Sequence, residues 1–293
     1  MRPLLLGQGG QFAVYKGYRW DPDLDGMTGS KDDEDYLHGY WQPVALKRPF
    51  FERFAEQIGV PESRNGPRKV VDLADGKVQQ SIKNMAHEIL ALQHPGLVGH
   101  PYIVQLIGWS SFTVNGCLAP CLVLPLACSD LRVHLESHRE LSHEERLAYC
   151  EGLGSALDTL HRFAIIHGDL KFENVLVFRA EGRFVPKISD FGFSVTAEEK
   201  GGGFVALSGT PGWIAPEVKQ CIENGKKIPI ADLHKADNYS YGLLVERTMS
   251  YGGFQCPPDV AELVDRVTAA LKAEHPHDRP SFVGKLLTSE ETV

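Results

Sequence analysis

The sequence predicts an α+β chain of two lobes, a small strand-rich lobe carrying one helix and a larger, mostly helical lobe. Three observations lead there. Strand-type alternation dominates the first part of the chain, helical spacing dominates from Leu141 onward, and a polar run at 167–174 is pinned between two short apolar segments. A length of 293 residues suffices for one large domain or for two lobes sharing a cleft.

The elements follow in order. A glycine turn, Gly7-Gln8-Gly9-Gly10, leads into an alternating strand at 11–18, and 44–47 is a second strand signal. Between them, the 20–40 insert is rich in Asp, Glu and Gly. Its plain reading is a solvated loop; the sharper one is a docking surface for a basic partner. A second insert, 48–78, holds Pro61, Gly66, Pro67 and Gly76, with a helical turn expected around 51–58. Apolar residues at Ile82, Met85, Ala86, Ile89 and Leu92 predict a helix over 81–92 that stops before His94-Pro95-Gly96. Strands are expected at 103–109 and 121–126. A helix over 141–161 opens with a capping box, Ser142 with Glu145, and carries the stripe Leu147, Cys150, Leu153, Leu157 and Leu160. Further helices are expected at 239–249 and 259–272.

Bulk properties exclude several classes. A formal charge of −8 argues against non-specific nucleic-acid binding, which needs a basic face. No apolar run approaches the roughly 18 residues of a membrane span, and the three leucines at the start are too few for a signal-peptide core. The six cysteines are scattered without zinc-site spacing, which reads as reduced, mostly buried thiols in a cytoplasmic protein.

Several constellations carry chemistry. The glycine turn lets backbone N–H groups approach phosphate, although it lacks the Gly-Lys-Ser/Thr of a Walker loop. Val44-Ala45-Leu46-Lys47 delivers a lysine at the end of an apolar strand, and Glu88 on the following helix can hold it as an ion pair. Taken singly, both are also ordinary surface residues. In His167-Gly168-Asp169-Leu170-Lys171-Phe172-Glu173-Asn174, Asp169 can accept or orient the proton of an attacking hydroxyl. Lys171 can neutralise a transferring phosphoryl group, and Asn174 offers an oxygen to a hard cation. Lys187-Ile188-Ser189-Asp190-Phe191-Gly192 repeats the device, a short strand delivering a carboxylate at a glycine turn.

In this order the motifs resemble the eukaryotic protein kinase family, over nearly the whole chain. The resemblance adds Ala215-Pro216-Glu217, Asp237 before a helix and Arg279-Pro280. It implies one bilobal kinase domain over 1–293, with an amino lobe at 1–124 containing the inserts 20–40 and 48–78, a hinge at 125–129 and a helical lobe at 130–293. It implies ATP and Mg2+ as cofactors and a protein as substrate. Gly7, Gly9 and Val14 would cover the nucleotide, and Lys47, paired with Glu88, would hold its α- and β-phosphates. Ala45 and Leu176 would sandwich the adenine, Leu124 would be the gatekeeper, and Ala127 would belong to the hinge. Asp169 would be the catalytic base, with Lys171 at the γ-phosphate, and Asn174 and Asp190 would bind Mg2+. Glu217 and Arg279 would form a buried ion pair, and Asp237 would brace the catalytic loop.

Lys171 and the run Gly209-Thr210-Pro211-Gly212-Trp213-Ile214-Ala215-Pro216-Glu217 resemble the serine/threonine class, in its tyrosine-kinase-like branch, with Thr210 hydrogen-bonded near Asp169 and Lys171. Four departures stand out. Phe12 replaces the third loop glycine, Gly168 replaces the arginine before the base, Trp213 stands where tyrosine is usual, and the first strand is almost absent. The last implies a fragment or a shortened amino lobe. The missing arginine implies activity that depends little on phosphorylation at Ser194, Thr196 or Ser208. The rivals are a pseudokinase acting as an interaction module and a phosphotransferase resembling choline and aminoglycoside kinases, in which a glycine before the aspartate is familiar.

Overall fold

Alternating residues in the first part of the chain build an antiparallel sheet in the computed structural model, which describes residues 4–8, 12–20, 41–49, 76–114, 117–196, 209–225 and 228–288. Strands β1 (Leu4–Gln8), β2 (Phe12–Trp20), β3 (Trp41–Pro49), β4 (Gly108–Val114) and β5 (Cys117–Pro125) lie in the order β1-β2-β3-β5-β4. Ala13, Val44 and Leu122 are buried from this sheet. Helix α1 (Gly76–Leu92) follows β3 in sequence. The chain divides into two compact units, one of residues 1–89 and 105–126 and one of residues 90–104 and 127–293. Residues 90–104 therefore group with the second unit, where the Val104 N–H donates to the Ile188 carbonyl (2.9 Å) and the Ile188 N–H to the Tyr102 carbonyl (2.9 Å).

The second unit is mostly helical, with α2 (Leu131–Ser137), α3 (His143–Arg162), α4 (Pro216–Asn224), α5 (Ile230–Ser250) and α6 (Pro258–Leu271). Its strands are short. β6 (Ser129–Asp130), β8 (Val175–Ala180) and β9 (Arg183–Ile188) form one antiparallel sheet, and β7 (Ile165–Ile166) pairs with β10 (Val195–Thr196). Helix α3 starts where the capping box predicts: the Glu145 N–H donates to Ser142 Oγ (3.3 Å) and the Ser142 N–H to Glu145 Oε2 (2.9 Å). Its Cys150, Leu153, Leu157 and Leu160 are fully buried, and the Tyr241 hydroxyl from α5 donates to the Cys150 carbonyl (2.8 Å). The α+β class, a strand-rich unit and a helix-rich one, is the one expected. No helix among the described residues is long and apolar enough to cross a membrane.

Several local expectations are corrected. The first strand is present: β1 pairs with β2, Leu4 opposite Lys16 and Gln8 opposite Ala13, although Leu4, Leu5 and Leu6 are all exposed. Backbone pairing at a sheet edge needs no buried side chain. The strand expected at 103–109 begins only at Gly108, and Ile103 makes a single bridge with Ile188. Helix α1 begins at Gly76 and buries the expected stripe only in part: Met85 and Leu92 are buried, but Ile82 and Ala86 are exposed, and Val78, Ser81 and Glu88 turn inward instead. Asp237 lies inside α5, not before it. Of the five described cysteines with assigned environments, Cys121, Cys150 and Cys221 are buried and Cys128 is exposed. Apart from Trp20, the last residue of β2, the acidic 20–40 insert lies outside the described residues, as does the turn at 51–58.

A buried histidine makes the second unit acid-sensitive. His134 is only 1% exposed, stacks on His138 (4.2 Å between ring centroids) and meets the Tyr149 hydroxyl (3.1 Å). Burial first, then the charge of His138, lower its pKa to about 4, against weaker opposing pulls from Glu140 and Glu145. The unfolded chain takes up this proton near the ordinary value of 6.5, whereas the folded chain refuses it until about 4. Stability is therefore complete above the unfolded value and declines as pH falls through this window. Urea unfolding at pH 7, 5.5 and 4.5 should show that decline, and His134→Gln should flatten it by roughly 1–3 kcal/mol.

Candidate active site

Among the described residues, the first unit contributes a buried charged pair. Strand β3 carries Lys47 inward and helix α1 carries Glu88 inward, and Lys47 Nζ donates to Glu88 Oε2 at 2.7 Å. The two side chains are only 6% and 1% exposed. Breaking such a pair leaves a lone buried charge and costs about 3–5 kcal/mol, so neither residue is the solvated surface group that its local sequence allowed. Ala45 lies directly opposite Leu124 across β3 and β5, and Val14 opposite Lys47 across β2 and β3. Gly7 sits exposed in β1, with open space where a Cβ would project. Gly9 lies outside the described residues. Phe12 is 7% exposed, and Lys47 Nζ stands 4.6 Å from the centre of its ring.

The second unit assembles the polar loop. The Lys171 ammonium donates to Asp169 Oδ2 (2.6 Å) and to Thr210 Oγ1 (2.6 Å), and the Thr210 hydroxyl donates to Asp169 Oδ1 (2.8 Å). Three residues from two segments thus form a closed ring around one carboxylate. Asn174 Nδ2 donates to the Asp169 carbonyl (2.7 Å) and to Asp169 Oδ2 (3.1 Å). That fixes the amide with its nitrogen on the aspartate and its oxygen directed elsewhere. Ser189 donates through both its N–H (2.8 Å) and its hydroxyl (2.9 Å) to the Asn174 carbonyl. Asn174 and Asp190 therefore flank the adjoining ends of the β8–β9 hairpin, one before Val175 and one after Ser189. Asp190 adopts the left-handed conformation (φ 62°), rare for a residue with a side chain and typical of functional turns. Leu176 lies in β8, opposite Lys187, and Ala127 is the first residue of the second unit after β5.

A buried carboxylate holds this loop. Asp237 accepts from the His167 N–H (2.7 Å), the Gly168 N–H (2.9 Å) and His161 Nε2 (3.0 Å). Burial alone would raise its pKa, but the hydrogen bond and charge of His161, together with His167 and the Gly168 amide, bring it below the usual carboxylate value. His167 is fully buried. Its Nε2 donates to the Ser189 carbonyl (2.9 Å), its Nδ1 accepts from the Asp169 N–H (3.3 Å), and its ring meets Phe191 edge to face (5.3 Å). Sequence reasoning missed His161, Ser189 and the imidazole of His167 as supports. His161 reaches Asp237 across 76 positions, a separation that leaves no local signal.

Gly168 has a backbone reason of its own. Its φ is +79°, and a Cβ there would lie 2.9 Å from the Phe193 carbonyl oxygen. Only glycine takes this conformation without strain. Downstream, Arg279 grips Glu217 with two bonds, at 2.6 and 2.9 Å, its side chain fully buried. Trp213 packs edge to face on Phe172 (5.1 Å) and under the Arg247 guanidinium (4.2 Å). Ser194 is 3% exposed, with a buried hydroxyl that has no hydrogen-bond partner among the described residues.

Within the second unit, Asn174 and Asp190 offer oxygen, which Mg2+ prefers, and the Lys171 ammonium matches a phosphate oxygen; within the first unit, the Lys47 ammonium has the same chemistry. Replacing Gly168 by alanine should lower the unfolding free energy by about 1–3 kcal/mol in urea titrations. A neutral result would mean that the loop does not need the left-handed backbone.

Comparison with known proteins adds an independent result. The sequence model of the protein kinase domain matches residues 65–269. Among curated proteins, the chain is 31% identical over 149 residues to serine/threonine-protein kinase zyg-8 of Caenorhabditis elegans, covering 50% of this chain and 18% of that protein. It is 30% identical over 215 residues to leucine-rich repeat serine/threonine-protein kinase 1 of Mus musculus, covering 71% and 10%. It is 33% identical over 193 residues to serine/threonine-protein kinase 10 of Homo sapiens, covering 65% and 18%. The chain thus spans a quarter or less of the length of these relatives. The family match begins after Lys47, so the glycine turn and that lysine stand on motif and geometry.

Proposed function

Because the chain belongs to the protein kinase family, we propose that it transfers the γ-phosphoryl group of ATP to a serine or threonine hydroxyl of a protein. The observation that carries this reading is the ring formed by Asp169, Lys171 and Thr210, with the Asn174 amide fixed on the same aspartate. Lys171, two residues after the aspartate, and the 209–217 run support the serine/threonine class and its tyrosine-kinase-like branch. The relatives compared above are named serine/threonine-protein kinases.

In the proposed reaction the substrate hydroxyl oxygen attacks the γ-phosphorus as the bond to the β–γ bridging oxygen breaks, and ADP leaves. Asp169 orients the hydroxyl and takes its proton. Lys171, already bonded to Asp169, offsets negative charge on the transferring group. Lys47, held by Glu88, binds the α- and β-phosphates. Ala45 and Leu176 would sandwich the base, with Leu124 and Ala127 beside it, and Gly7, Gly9 and Val14 would cover the nucleotide. Asn174 and Asp190 would hold Mg2+, which neutralises phosphate charge when bound.

Gly168 stands where the family's arginine would meet an activation-segment phosphate. That replacement supports a reading in which activity depends little on such a phosphate. The burial of Ser194 also argues against that residue as an acceptor.

Two assays test the reading. With radiolabelled ATP and a generic basic protein, Asp169→Asn should lower kcat at least a hundredfold, and phosphoamino-acid analysis should give phosphoserine or phosphothreonine. Absence of turnover in the unaltered protein would favour the pseudokinase reading, and phosphotyrosine alone would remove the serine/threonine assignment. Joint replacement of Ser194, Thr196 and Ser208 by alanine should leave activity nearly intact; a hundredfold fall would sink phosphate-independent activation.

A further inference from the structure

We propose that Phe12 shields the phosphate-binding face of Lys47, so that a nucleotide's phosphates bind only by displacing its ring. This rests on the reading of Lys47 as a phosphate ligand.

Strand register explains why the ring reaches the lysine. Val14 is directly opposite Lys47 and Phe12 opposite Pro49. Side chains two residues apart on a strand share a face, so Phe12 and Lys47 are diagonal neighbours on the same face of the β2–β3 pair. Diagonal pairs lie within reach of aromatic side chains. At 7% exposure Phe12 is packed against its surroundings, and Nζ stands 4.6 Å from the ring centre, the arrangement of a cation–π contact. The same ammonium is bonded to Glu88 at 2.7 Å. A phosphate oxygen bonds an ammonium at about 2.8 Å. On the side facing Phe12, an oxygen at that distance would fall inside the ring's van der Waals surface.

The position is informative because the kinase motif resembled here has glycine at 12. Glycine would remove the ring from this face of Lys47. Phenylalanine fills it with the negative face of a ring, which competes with phosphate for the same charge. The competition acts on phosphate-bearing ligands and leaves the base alone, so it separates ATP from adenosine. A contact of this kind should weaken MgATP binding about three- to tenfold.

The test uses the whole chain, with Phe12→Leu retaining apolar volume and Phe12→Gly giving the residue of the motif. Melting curves establish that each variant is folded, and Phe12→Leu carries the test if the glycine variant is not. Two readouts are needed. Acetic anhydride labelling of Lys47, followed by mass spectrometry without nucleotide, should be at least threefold faster in the variants. Calorimetry should give MgATP affinities three- to tenfold tighter and adenosine affinities unchanged. Unchanged labelling would overturn the shield, even if MgATP binds normally and the phosphate role of Lys47 stands. Equal shifts for MgATP and adenosine would also overturn it, since the ring would then act on the base or on packing. Faster labelling with no MgATP binding by any of the proteins would leave the shield standing and remove the phosphate role.

Discussion

The second unit's site depends on one buried carboxylate. Asp237 is fixed in the interior of α5, and three donors converge on it, two of them consecutive amides of the polar loop. A carboxylate so placed is tolerable only when hydrogen-bonded, because uncompensated burial of its charge costs several kcal/mol. The requirement works in both directions. The loop needs an acceptor for its amides, the carboxylate needs donors, and each fixes the other. For two adjacent N–H groups to point at one carboxylate the chain must turn sharply, and the positive φ of Gly168 provides that turn. From there Asp169 projects toward Lys171 and Thr210.

A second consequence follows for the segment after Asp190. Gly168 lies against the Phe193 carbonyl so closely that no side chain fits between. The loop and the turn that follows Asp190 are therefore joined by backbone proximity. His167 strengthens the same junction, bonding the Ser189 carbonyl and packing on Phe191. Close approach of two backbones thus holds these segments together.

Some of this was legible in the sequence and some was not, and the difference follows the range of the interactions. The capping box of α3 was readable because its partners are three residues apart. The 167–174 and 187–192 motifs were readable because each packs its chemistry into a short run. The buried face of α1 was readable only in part. Apolar spacing selected Ile82 and Ala86, yet the helix turns Ser81 and Glu88 inward. A buried glutamate makes sense only with its partner, and Lys47 is 41 positions away. His161 was invisible for the same reason. Strand β1 was underrated because an edge strand is held by its backbone, leaving its three leucines exposed.

The bond between Lys47 and Glu88 also closes a long excursion of chain, since β3 ends at Pro49 and α1 begins at Gly76. The entropic cost of closing a loop grows only with the logarithm of its length, about 0.6 kcal/mol per doubling. That is small beside the cost of leaving either buried charge alone. Chain length between Pro49 and Gly76 therefore weighs less in this balance than the pairing itself, which requires the two ends to deliver the lysine and the glutamate to each other. A tag or a small folded module inserted there would test the fold's tolerance while leaving the charged pair as the point of closure.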